Sequence, residues 1–204
     1  MKRFVFLALL GSLGVAHAAD PFVDGDATAG EAKAGVCVAC HGVAGKSTNP
    51  QWPKLAGQSA KYIAGQLAAF KSGERSNPLM TPQAMSLSEQ DMANLGAYFA
   101  AQELSPGVAS EDSIEVAQPL YRGGDSERGL PACAACHSPT GAGNPGAGFP
   151  HIGGQQGEYT AASLRAYRSG ERGAGTQGQI MQSVAEKLTD AEIDALASYI
   201  AGLQ

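Results

Sequence analysis

Cys37-Val-Ala-Cys40-His41 and Cys133-Ala-Ala-Cys136-His137 between them hold all four cysteines of the 204-residue chain. Two thiols three positions apart, followed at once by an imidazole, are the arrangement that attaches c-type haem: each thiol adds to a vinyl group, and the histidine stands under the ring as an iron ligand. Two such runs imply two haems. Other uses of the thiols compete. Disulfides suit an exported chain, but zinc wants four ligands where each run brings two thiols and one imidazole. A redox dithiol needs a βαβ setting, and no segment alternates as a strand does.

The elements that must position these residues come as a repeat. The second Cys-x-x-Cys-His run follows the first by 96 positions. Pro53, Gly57, Gln58, Tyr62, Leu67 and Ser72-Gly73-Glu74-Arg75 return 97 positions later as Pro150, Gly154, Gln155, Tyr159, Leu164 and Ser169-Gly170-Glu171-Arg172. Beyond four inserted residues near Gly173–Thr176 the offset becomes 101, and Met80, Leu87, Leu95 and Tyr98 meet Met181, Leu188, Leu196 and Tyr199. Apolar periodicity predicts helices over 59–71, 88–101, 157–168 and 189–202. Ser88 and Thr189 are the expected N-caps ahead of acidic first turns. The expected fold class is therefore all-α, in two tandem domains of about 85 residues.

The repeat also narrows the sixth iron ligand. The four histidines are His17, His41, His137 and His151, too few for two bis-histidine haems once His17 is assigned to a leader. Methionine thioether is the natural alternative and raises the reduction potential. Met181 is the sole methionine of the second unit. Met80 matches it, which favours Met80 in the first unit; Met85 is the alternative, and Met92 reads as core packing. A ligating imidazole donates its other N–H to a fixed acceptor, and Pro53 and Pro150, 12 and 13 residues after the two histidines, offer carbonyls; the competing reading is that they only shape a loop. His151, aligned with Lys54, reads as a surface or propionate-side residue. Arg75 and Arg172 read as solvated, with haem propionates as the alternative.

Composition bounds the rest. Hydrophobic residues make up 44% of the chain, charged residues 16% and aromatics only 6%, with 27 glycines, so core volume is scarce and an apolar cofactor would fill it. Lys2 and Arg3, an apolar run to Val15 and Ala16-His17-Ala18 read as a signal peptide over residues 1–18, implying export to the periplasm. The remainder carries 12 basic against 19 acidic residues with no basic patch, which excludes a nucleic-acid binder. It divides into an N-terminal domain at 19–102, a linker at 103–118 whose acids are read as solvated, and a C-terminal domain at 119–204. Gly141-Ala-Gly143-Asn-Pro-Gly146 spells a dinucleotide fingerprint but lacks the preceding strand, so it is declined.

Together with Pro-Lys-Leu-Ala-Gly-Gln (53–58), Phe-Pro-His-Ile-Gly-Gly-Gln (149–155), Ile-Met-Gln-Ser (180–183), Leu-Ser-Glu-Gln-Asp (87–91) and Leu-Thr-Asp-Ala-Glu (188–192), the two haem motifs make the whole mature chain resemble the diheme cytochrome c4 family, two class I cytochrome c domains in tandem. The resemblance implies axial pairs His41 with Met80 and His137 with Met181. It also implies periplasmic electron transfer from an upstream quinol-oxidising complex toward a terminal cytochrome oxidase, with possible peripheral membrane association and no small-molecule substrate. Two rivals are a diheme peroxidase, which would need an open iron, and a fixed subunit of a larger oxidoreductase.

Overall fold

The computed structural model describes residues 24–204; the expected signal peptide at 1–18 lies outside them. Among the described residues each half has five α-helices: α1 (Ala27–Lys33), α2 (Val38–His41), α3 (Ala60–Ser72), α4 (Met80–Met85) and α5 (Glu89–Ala100), then α6 (Glu111–Gly123), α7 (Cys133–His137), α8 (Gly157–Ser169), α9 (Gly175–Ala185) and α10 (Asp190–Ala201). Among the described residues there is no strand, only isolated bridges at Asp125–Leu130 and Asn144–Phe149.

The last helix of each half is its keel. Helix α5 packs on α1 and α3, and α10 on α6 and α8. Both helices start in a capping box: the Ser88 and Thr189 hydroxyls accept from the third helical N–H, and Asp91 and Glu192 reach back to the cap N–H. Those reciprocal bonds satisfy two otherwise orphaned donors. Close crossing needs glycine. A Cβ at Gly30 would lie 2.0 Å from the Asn94 carbonyl oxygen, and one at Gly96 would lie 2.5 Å from that of Ala60.

The cores differ in size. In the second half Ala117, Tyr121, Leu130, Leu188, Ile193, Leu196 and Ile200 belong to one buried cluster, whereas the first half's cluster is Ala34, Ile63, Leu95 and Phe99. Side chains alone give the first half a thin centre.

Helix α6 departs from expectation. It begins at Glu111, inside the span read as linker, and carries Pro119 within it. Ser113, Ala117 and Tyr121 are buried along one face, a spacing that follows helical periodicity, while Glu111 and Asp112 sit in the first turn, where the helix dipole favours acids. The connection shrinks to residues 101–110. Glu103, Glu111, Asp112 and Glu115 are all exposed, as solvated acids should be, while the backbone is pinned: Gly107 donates to the Ala201 carbonyl at 3.0 Å and Ser110 to the Ser198 hydroxyl at 3.0 Å.

Candidate haem sites and the contact between the halves

Each thiol pair lies on one short helical segment. Cys37 closes a 3₁₀ turn that runs straight into α2, and Cys133 to His137 form α7. Residues three and four apart share a helical face, so both thiols and the imidazole of each run project together. The chain then turns away sharply, at Gly42 (φ 74°) in one half and Ser138 (φ 68°) in the other.

Both imidazoles are buried, and each is held at one nitrogen. His41 Nδ1 lies 2.9 Å from the Pro53 carbonyl oxygen and His137 Nδ1 lies 3.0 Å from that of Pro150. As donors to carbonyls, the Nδ1–H groups fix the tautomer and leave Nε2 as the free lone pair. Burial pulls both imidazoles below their ordinary value, against the upward pull of the proline carbonyls, and so favours the neutral form, the one in which imidazole binds metal.

Among the described residues none of the four cysteines is in a disulfide. Burial pushes the Cys37 thiol up and takes Cys133 up to about 11, the reverse of the lowered value a reactive dithiol needs. Among the described residues no three of His, Cys, Asp and Glu gather where they could hold a metal ion, so the thiols and imidazoles do not compose a zinc site.

The methionines fall in distinct places. Met181 and Cys133 both pack against the core of the second half. Met80 opens α4, which packs on α3, and is half-buried. Met85 is 58% exposed, and Met92 is buried in the face of α5. The expected helices did not include α4 and α9, which carry Met80 and Met181.

The arginines correct the reading of a solvated pair. Arg172 is only 8% exposed, and it reaches into the other half to bond the Tyr62 hydroxyl at 2.5 Å and Gln66 Oε1 at 3.2 Å. Arg75 reciprocates with the Tyr159 hydroxyl at 3.3 Å. Each guanidinium also stacks over a ring of its own half, Arg75 on Phe70 at 4.5 Å and Arg172 on Tyr167 at 4.7 Å. Burial alone would raise the Tyr159 phenol, but the charges of Arg172 and Arg75 hold it below the ordinary phenol range. Among the described residues neither arginine is in an ion pair. A buried positive field with no carboxylate facing it suits an anionic group such as a propionate.

A glutamine from each half completes the contact. Gln155 accepts from the Lys54 N–H at 2.8 Å and donates to the Lys54 carbonyl at 2.9 Å; Gln58 accepts from the His151 N–H at 3.0 Å and donates to the His151 carbonyl at 2.7 Å. The sequence reading noticed both glutamines only as repeat markers. Their common offset of 97, shared with Lys54 and His151, was the signal for a two-fold contact.

A model of the cytochrome c family matches residues 27–102 and 130–204. Cytochrome c4 of Pseudomonas aeruginosa is 47% identical over 203 residues, covering 99% of this chain and 98% of that protein. The crystal structure of reduced recombinant cytochrome c4 from Pseudomonas stutzeri superposes with a TM-score of 0.85 at 44% identity, covering 88% of this chain and all of that one. A thiosulfate dehydrogenase electron acceptor of Thiomonas intermedia is 35% identical over 98% of this chain and 91% of its own length. With two haem c groups attached through Cys37/Cys40 and Cys133/Cys136, the chain belongs to the diheme cytochrome c4 family.

Proposed function

We propose that this electron carrier works in the periplasm with both irons closed by protein ligands, His41 with Met80 and His137 with Met181, passing electrons from a quinol-oxidising complex toward a terminal oxidase. The observation that carries the ligand assignment is the pair of buried imidazoles, each fixed through Nδ1 on a proline carbonyl directly after its thiol pair. Haem c supplies a one-electron iron couple. Everything else falls to the chain. His41 and His137 present Nε2 in a fixed orientation; Met80 and Met181 would supply thioether sulfur; Arg75 and Arg172 would hold haem propionates. With no coordination position left open, the chain performs transfer without substrate chemistry. That weighs against the peroxidase reading.

Quantified visible spectra of the mature protein test this. Two covalent haems per chain, both low-spin and with the weak far-red band of ferric iron on thioether sulfur, are expected. Met181→Ala and Met80→Ala should each remove half of that band, and Met85→Ala none; a band lost with Met85→Ala would move the N-terminal ligand to Met85. The likeness to a thiosulfate dehydrogenase electron acceptor favours a second donor. Stopped-flow reduction by a thiosulfate dehydrogenase and by a quinol-oxidising complex, run side by side, separates the two: the physiological donor reduces the protein faster by far.

A further inference from the structure

The two proline carbonyls that accept from the imidazoles belong to peptide groups whose other ends cross to the opposite half. The Pro53 C=O and Lys54 N–H are one peptide unit. Its oxygen accepts from His41 Nδ1 at 2.9 Å, and its N–H donates to Gln155 Oε1 at 2.8 Å. The Pro150 C=O and His151 N–H are likewise one unit, joined to His137 Nδ1 at 3.0 Å and to Gln58 Oε1 at 3.0 Å. Each glutamine oxygen is locked by a second donor, the N–H of the residue after it, at 2.9 Å in both halves.

We propose that Gln155 is a positioning residue for His41, and Gln58 for His137, so that each half of the molecule tunes the iron ligand of the other through a single hydrogen-bonded peptide. The reasoning rests on the two histidines being the iron ligands. A peptide whose N–H is engaged is polarised, its oxygen becomes a better acceptor, and hydrogen bonds in series strengthen one another by about 10–30%. A better acceptor draws the imidazole proton away from Nδ1, makes Nε2 a stronger donor to iron and favours the ferric state. Removing the glutamine acceptor reverses each step, so the potential of the opposite haem rises. The pairing is crossed: the amide sits in one half and the haem it affects in the other.

The test uses the full-length, dihaem protein, isotopically labelled and reduced. The readouts are the Nδ1–H proton signals of His41 and His137 and the two reduction potentials, with haem resonances assigned through their thioether-linked cysteines. Gln155→Leu is expected to move the His41 Nδ1–H signal to higher field and leave that of His137 in place. The N-terminal haem's ferric-to-ferrous equilibrium should shift about twofold toward ferrous, about 18 mV at about 59 mV per tenfold for one electron. Gln58→Leu should give the mirror image. Gln156→Leu is the control: it cuts another side-chain bond between the halves, Gln156 Nε2 to the Ser47 carbonyl at 2.7 Å, while keeping the backbone N–H that locks Gln155 Oε1 at 2.9 Å, and should move neither imidazole. Signals that stay put in both relay variants, that move together in each, or that move as much in Gln156→Leu would overturn the pairing. If the unaltered reduced protein lacks two diamagnetic imidazole N–H signals, the ligand assignment itself fails, and the relay with it, before any variant is compared.

Discussion

A guanidinium that is 8% exposed, bonds Tyr62 and Gln66, stacks on Tyr167 and faces no carboxylate among the described residues would gain from an anion beside it, because burying a charge without a counter-charge is costly. Haem propionates fill that role in the reading given above. Arg172→Leu should therefore lower a haem potential, since losing a nearby positive charge favours ferric iron. The shift should be on the order of tens of millivolts, about 59 mV being tenfold for one electron, read by spectroelectrochemical titration; an unchanged pair of potentials would separate Arg172 from the haems. The thiols and histidines were legible because their chemistry is local, five residues in a row. Arg172 was not. Its neighbours Tyr62 and Gln66 are more than 100 residues away in sequence, and an arginine in the polar run Ser169-Gly170-Glu171-Arg172 carries no mark of what will cover it.

At the scale of elements, α5 and α10 were readable to within a residue or two because caps and acidic first turns are written locally. Thr189→Ala, which removes the hydroxyl that accepts from the Glu192 N–H, should cost about 1 kcal/mol. In a domain of this size that lowers the melting temperature by roughly 4–8 °C, measured on the C-terminal domain's transition. Glu192 adds a pH dependence. The Arg128 guanidinium at 2.7 Å, outweighing the opposing cost of desolvation, and the Thr189 cap hold its carboxyl at about 2 rather than 4.5. A folded-state value below the unfolded one stabilises above the unfolded pKa and loses that stabilisation as pH falls. Stability should thus decline between about pH 4.5 and 2, and Glu192→Gln should flatten the decline in acid denaturation monitored by helical circular dichroism. Helix α6 escaped notice for the opposite reason. Its acids and Pro119 read as linker, and its apolar face, Ala117 and Tyr121, is completed by packing against α10 and α7.

Over the whole molecule the repeat becomes a pseudo-two-fold contact, and the connecting segment lies in it. A Cβ at Gly57 would meet Leu104 at 3.4 Å and one at Gly154 would meet it at 3.1 Å. These glycines are repeat mates, both with φ of 69°, so one leucine is wedged over the corresponding turns of both halves. Lys54 Nζ also bonds the carbonyls of Ser105 and Gly154, tying connector to contact. Polar bonds set the register of the two halves, and Leu104 supplies apolar area at their centre. Leu104→Ala should loosen the docked arrangement by about 1 kcal/mol, or roughly fivefold in the docking equilibrium, without touching either core. Hydrogen exchange reads this directly, because the Lys54 and His151 amides are held by glutamines of the opposite half. Their protection should fall together by that factor, while amides beside Ile193 and Leu196 keep theirs. Unequal losses at Lys54 and His151 would mean that the leucine serves one half only, and equal losses in the cores would mean that it supports folding rather than docking.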